Sequence, residues 1–249
     1  QQHASRIDHR RKAVAFPRCP GLRLRKDTRT MCIVNGCTAQ PNGRSPYCAT
    51  HRKRWRRHGD AQQQTIRVTD LKVYRHTVSG ILDRNKNGKI MAVMTANWEK
   101  VIAYARGELE QYRKGRPSQR QLRRACEELV KLADGTTVRD LLEVGLAMFL
   151  MREWDGRKFT SDRGFTFQLT RRVRALTDLN VGTHYNHVTG KVNRTYRDLP
   201  PKVTTLLADV LIGYLSRAAA HVISIAKKDW EEEQRKSCEV DEAFAELET

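Results

Sequence analysis

A chain of 249 residues, 39% hydrophobic and 30% charged, can bury a sizeable core as one large or two modest domains, which excludes disorder for most of its length. Its 47 Lys and Arg against 28 Asp and Glu give a net charge of +19, so the first partner to consider is a polyanion: nucleic acid, with an anionic membrane surface second. No window approaches the roughly eighteen uninterrupted apolar residues of a membrane span, and no apolar run follows a basic start as in a secretory leader.

Six cysteines in such a chain point to a reducing compartment and to metal binding over disulfides. The expected location is the cytoplasm of a bacterial or phage-infected cell, with no membrane partner. Charge is unevenly spread. Residues 1–60 hold 15 basic against 3 acidic side chains, and residues 229–249 hold 9 acidic against 2 basic. A basic head and an acidic end could attract each other.

Residues 1–30 show no helical or strand periodicity and read as a basic, disordered arm. Met31, directly before Cys32, is a candidate initiator that would leave this arm upstream. Residues 31–60 then form a compact pattern. Cys32 and Cys37 stand as C-x4-C, Cys48 and His51 as C-x2-H. Zinc takes a tetrahedron of thiolate and imidazole, and each close pair supplies two corners. Asn35-Gly36 offers the first pair a tight turn, and Pro41-Asn42-Gly43 marks a hairpin-like loop between the pairs. Cys19 and His58 are competing ligands of less apt spacing.

The second pair opens a helix, CATHRKRWRRH, that Gly59 ends. Cys48, His51 and Trp55 share one face, with the indole packed beneath the metal, so Arg52, Lys53, Arg54, Arg56 and Arg57 point outward. A metal would replace the core that so short a segment cannot build and would fix a cationic helix rigidly.

The run YCATHRKRWRRHGD, preceded by C-x4-C, resembles the small treble-clef-like zinc module of phage and mobile-element DNA-binding proteins. The same module stands at the N-terminus of some HNH endonucleases. The likeness covers residues 32–60 and rests on Cys32, Cys37, Cys48, His51, Trp55, Arg56, Arg57, His58, Gly59 and Asp60. It implies a zinc-ordered module that contacts DNA. Nuclease activity belongs to a separate HNH segment and is not implied.

Residues 61–94 read as a linker with a short β-hairpin, LKVYRHTVS and KIMAVM flanking a polar turn. That turn, DRNKNGKI, imitates an EF-hand at Asp83, Asn85, Asn87 and Gly88, but Met94 stands where the loop needs a bidentate glutamate. From Thr95 to residue 236 the pattern is helical. TANWEKVIAYARGELEQYRK runs to the breaker Gly115-Arg116-Pro117. SQRQLRRACEELVKLA stripes Leu122, Cys126, Leu129 and Leu132 along one side. VRDLLEVGLAMFLM is apolar almost all round and reads as the central helix. Cys126 and Cys238 are expected to be plain thiols.

The segment FQLTRRVRALTDLNVGTHYNHVTGKVNR suggests a helix-turn-helix, with a turn at Asn180-Val181-Gly182 and a second helix capped by Thr183. An ordinary pair of bundle helices explains the same pattern. On the first reading His184, Asn186, His187, Lys191 and Arg194 are exposed, Asn186 reads an adenine edge, and Arg171, Arg172, Lys191 and Arg194 grip phosphates. A long helix opened by Pro200-Pro201 follows, lined inward by Val203, Leu206, Leu207, Val210, Leu211, Tyr214 and Leu215. His221 is expected to pack on it, and residues 237–249 form an acidic tail.

The expected fold is therefore mainly α: a zinc module, a short hairpin and a helical bundle. The leading functional expectation is a non-enzymatic, zinc-dependent DNA-binding protein, with a homo-oligomer or protein partner joined through the helical domain. One alternative is an HNH-like nuclease using His184, Asn186 and His187, though the usual Asp-His pair is missing. Another is an RNA-binding component of a ribonucleoprotein, stacking Trp55, Tyr185 and Tyr196 on bases.

Overall fold

The computed structural model describes residues 31–85, 89–177, 180–196 and 198–247. The arm read in residues 1–30 and the polar turn at Asn87-Gly88 lie outside them. The described chain is mainly helical: α1 (Ala49–His58), α2 (Lys72–Arg84), α3 (Lys89–Arg113), α4 (Arg120–Gly135), α5 (Val138–Trp154), α6 (Asp162–Arg174) and α7 (Pro201–Leu247). A short 3-10 turn covers Gly156–Lys158, and one two-stranded sheet joins β1 (Asn180–Asn186) to β2 (Lys191–Tyr196).

Helix α5 is the centre. Leu142, Ala147, Met148, Leu150 and Met151 have no exposed surface, and α2, α3, α6 and α7 pack around the helix. Thr137 caps its start by accepting a hydrogen bond from the Asp140 N–H. Gly145 lets α7 approach closely, since a Cβ there would stand 2.5 Å from Leu215 Cδ1. A mid-helix glycine costs about 1 kcal/mol of propensity, while burying a leucine side chain gains about 2 kcal/mol, so the packing wins.

The other helices contribute stripes. Leu129 and Leu132 of α4 and Val203, Leu207, Leu211 and Leu215 of α7 are buried. By length and composition Pro201–Val240 is long and apolar enough to cross a membrane. Its apolar side chains are the ones that fill the bundle core. Between α4 and α6 the buried Arg174 Nε donates to Glu128 Oε2 at 2.8 Å.

Within residues 61–94, where a hairpin was expected, Lys72–Arg84 and the stretch from Lys89 onward are helical. The β-branched residues of LKVYRHTVS suggest a strand, but over a longer window Leu71, Val78, Ile81 and Leu82 recur at helical spacing, and all four are buried. Met94, Trp98, Ile102 and Ala105 do the same for α3. Helix α2 is tied to α5 through Glu143, which accepts hydrogen bonds from Arg75, Ser79 and Arg139.

The hairpin lies instead at 180–196, where a second recognition helix was expected. Its register pairs Thr183 with Arg194, His184 with Asn193, Tyr185 with Val192 and Asn186 with Lys191, with an irregularity between Asn180 and Gly182. Helix α6 ends at Arg174, before the expected turn. Alternating NVGTHYN and KVNRTY, joined through Thr189-Gly190, suit a β-ribbon. Gly190 takes a φ of +64°, which a turn requires and glycine supplies. Its N–H donates to the Asn186 carbonyl at 2.8 Å.

Candidate metal centre and cationic helix

Two turns bring the four expected ligands together. The Cys37 N–H donates to the Val34 carbonyl at 3.0 Å, with Gly36 at a φ of +77°. The Asn42 N–H donates to the Tyr47 carbonyl at 2.9 Å across the loop holding Gly43. Cys48 is the N-cap of α1, its sulfur accepting from the His51 N–H. One helical turn later His51 presents Nδ1 to the same point. The ligating atoms of Cys32, Cys37, Cys48 and His51 all lie within 4.8 Å of one another.

These distances suit a metal ion. A tetrahedral centre with Zn–S of about 2.3 Å and Zn–N of about 2.0 Å has edges of roughly 3.8 Å between sulfurs and roughly 3.5 Å between sulfur and nitrogen. Cys37 and Cys48 stand 3.9 Å apart at sulfur, and His51 Nδ1 stands 3.5 Å from Cys32 Sγ and 3.3 Å from Cys48 Sγ. A disulfide would need about 2.0 Å.

The electrostatics agree. Burial opposes ionisation of the Cys32 thiol, but hydrogen bonds from the Cys48 and Val34 backbone, with His51 and Cys37, hold it down to about 6 from an ordinary 9.0. At Cys37 the Ala39 backbone favours the thiolate, yet burial and the sulfurs of Cys48 and Cys32 raise the group above its usual range. Three thiolates so close repel one another, and a bound cation removes that conflict. Cys126, by contrast, is a buried thiol and Cys238 an exposed one. Among the described residues, this is the group of His, Cys, Asp and Glu side chains that could hold a metal.

Helix α1 is docked as well as capped. Trp55 lies between the Tyr47 ring, stacked at 6.4 Å between centroids, and the Arg163 guanidinium, 4.2 Å above the indole. His58 is buried and bonds to Gln168 of α6 at 3.0 Å, so it is a docking residue and not a competing ligand. Gly59 closes the helix at a φ of +83°, and a Cβ there would meet Arg163 O at 2.5 Å. The chain beyond is held by Gln63, which donates to Lys158 O and accepts from the Thr160 N–H.

No family model, curated protein or solved structure matches this chain.

The site therefore rests on its own residues. Arg52, Lys53, Arg54, Arg56 and Arg57 are all exposed, as the ligand spacing requires. At 100° per residue they spread over one arc of about 200° that also holds the small residues Ala49 and Thr50, while Cys48, His51, Trp55 and His58 occupy the rest. Arg57 also pairs with Asp198 at 2.9 Å, which places the arc beside the start of α7.

The remaining expected contacts fare differently. Arg171 pairs with Asp198 at 3.2 Å, and both its Nε and that of Arg172 are buried without a partner. Burial lowers both guanidinium groups below their usual range, against the pull of Asp198 on Arg171 and of Asp70 on Arg172. Both are half-buried, and Arg171 is already engaged by an acidic partner. Asn186 spends its side-chain oxygen on its own turn, accepting from the Val188 and Thr189 N–H groups at 2.9 and 3.2 Å. Lys191 is exposed beside it, and Tyr185 meets His187 edge-on at 5.0 Å. Arg194 and His184 sit on β2 and β1 as cross-strand neighbours of Thr183 and Asn193, not on a helix. His221 is exposed on α7, not packed.

Gln168, Gln63, Arg163 and Asp198, which build the docking, carry no motif. Each is a single polar residue whose partner lies far away in sequence.

Proposed function

We propose that this protein is a zinc-dependent, non-enzymatic DNA-binding protein of phage or mobile-element type. Zinc on Cys32, Cys37, Cys48 and His51 orders a treble-clef-like module. Helix α1 then lies against the phosphates with Arg52, Lys53, Arg54, Arg56 and Arg57. The observation that carries this reading is the cationic arc itself, five exposed basic side chains on one side of α1 with only Ala49 and Thr50 among them, on a helix docked from behind through Trp55 and His58. The β1–β2 ribbon takes the place assigned earlier to a recognition helix. A two-stranded ribbon fits the major groove as a helix does, and Lys191 and Arg194 give it basic character. Any joining of copies or partners belongs to the helical bundle.

Fluorescence titration of the metal-loaded chain with duplex DNA across a salt series tests this. Binding is expected to weaken with a log–log slope of about 0.9 per neutralised phosphate, and the slope should fall by about that amount for each α1 arginine replaced by alanine. Absent or salt-insensitive binding ends the proposal. Plasmid nicking that needs magnesium and disappears in His187→Ala replaces it with a nuclease. Stronger competition by structured RNA than by duplex replaces it with an RNA-binding role.

A further inference from the structure

Beside the arc, a half-open cavity of about 660 Å³ lies between α1, the strap at residues 62–67 and the turn at 157–160. Its size is within the range of small-molecule sites, roughly 300–1,000 Å³. Arg54, Arg67, Arg157 and Lys158 line it, and Asp70 is the one acidic side chain among them. That carboxylate is engaged already, since Asp70 Oδ2 accepts from the Arg67 N–H at 2.7 Å and so bends the strap. Lys158 pairs with Asp155 at 3.4 Å, but Arg54, Arg67 and Arg157 have no ion pair among the described residues. The lining thus carries four cationic side chains against the single carboxylate of Asp70, and three of the four are arginines outside any ion pair among the described residues.

Hydrogen bonds tie the walls together. Gln63, 1% exposed, joins the strap to the turn through both ends of its amide. Behind it, the buried Ile66 N–H donates to Gln168 Oε1 at 3.2 Å. His58, Gln63 and Ile66, all buried, form its inner lining. A cavity of this size has room for the end of a strand or a free small molecule. We propose that this cavity binds a phosphate monoester carried on a nucleotide, either at the end of a nucleic-acid strand or free in solution. A monoester carries close to two negative charges at neutral pH and three acceptor oxygens, and forked guanidinium donors match it better than they match a singly charged diester. The strand-end source rests on the DNA-binding proposal, whereas the phosphate chemistry of the pocket does not.

The test compares the metal-loaded full chain on fluorescent duplexes of one sequence that end in 5′-phosphate, 3′-phosphate or hydroxyl, with closed circular plasmid as an end-free reference. One terminal phosphate is expected to tighten binding by about tenfold. In Arg67→Ala/Arg157→Ala that gain should shrink to below about twofold, while plasmid binding stays within about twofold of wild type. Arg157→Lys, which keeps the charge and loses the fork, should retain only part of the gain. Adenosine 5′-monophosphate that abolishes the gain at low concentration assigns the pocket to free nucleotides; failure to compete assigns it to strand ends. Equal affinity for phosphate and hydroxyl ends together with no nucleotide binding, or a gain that survives the double substitution, overturns the pocket. Absence of plasmid binding by the unsubstituted chain, with a phosphate gain that the double substitution removes, would instead sink the DNA-binding proposal and leave the pocket standing.

Discussion

His58 Nδ1 accepts a hydrogen bond from Gln168 Nε2 at 3.0 Å, in a contact almost sealed from water. The Gln168 oxygen is taken by the Ile66 N–H, so its nitrogen faces His58 and the imidazole must be neutral. Burial, with Arg171 and Arg57 nearby, pushes the group down to about 4 from an ordinary 6.5.

Acid should therefore undock the module from the bundle. Between pH 6.5 and about 4 the unfolded chain binds a proton that the folded chain refuses, so stability falls as pH falls through that window and levels off below it. The loss is expected to reach about 3 kcal/mol. Urea midpoints across this range for wild type and His58→Asn read it as the difference between two curves. Parallel curves would mean that His58 does not contribute.

Gly59 predicts a substitution effect of two kinds. Its φ of +83° disfavours any side chain, and a Cβ would collide with the Arg163 carbonyl oxygen, which is backbone and cannot turn away. Gly59→Ala should cost more than the about 1–2 kcal/mol of left-handed strain alone. Gly59→Asn relieves part of the strain but not the collision, so it should be nearly as harmful. Equal stability of wild type and Gly59→Asn would show that α1 and α6 can separate at that point.

Metal content gives a direct measurement. Zinc analysis of purified protein should find one ion per chain, and Cys37→Ser should lower that occupancy strongly because one corner of the tetrahedron loses its thiolate. Cys126→Ser, far from the cluster in a bundle helix, should leave it unchanged. Chelation should loosen residues 31–60 while the bundle stays folded, as read by hydrogen exchange. A metal-free protein with the same protection in that segment would remove the structural role.

Asn186 separates turn-making from base reading. Asn186→Asp keeps the oxygen that accepts from Val188 and Thr189, and the ribbon should persist in the chemical shifts of β1 and β2. Asn186→Ala removes both bonds and should weaken the ribbon by about 1 kcal/mol. If Asn186→Asp alone changed base preference with the ribbon intact, the side chain would have a reading role after all.

The Cys3His cluster was readable because a tetrahedral site uses short spacings: C-x4-C and C-x2-H put each pair of donors within a few residues of one another. The outward set on α1 followed from the same spacing. The central position of α5 was readable from its all-round apolar surface. Sequence failed where the window was short or the contact distant. Val73, Thr77 and Val78 look like strand until Ile81 and Leu82 complete the helical stripe. From Leu176 to Tyr185 the apolar spacing in the sequence imitates a helix, while the decisive feature, the Asn186 turn, is a hydrogen bond within four residues. The Gln168 bridge spans 110 residues to His58 and 102 to Ile66, and no local pattern announces it.

Helix α7 sets a length scale for the whole molecule. Its 47 residues span roughly 70 Å, and Arg57, through Asp198, sits at its beginning. The acidic residues from Asp229 onward belong to its far end. Roughly 45 Å of continuous helix separates the start of α7 from Glu231, which keeps α1 and the acidic stretch Glu231–Glu239 apart within one molecule. The described chain is thus electrically polarised along the rod, with the basic α1 at one end and the Glu231–Glu239 stretch toward the other.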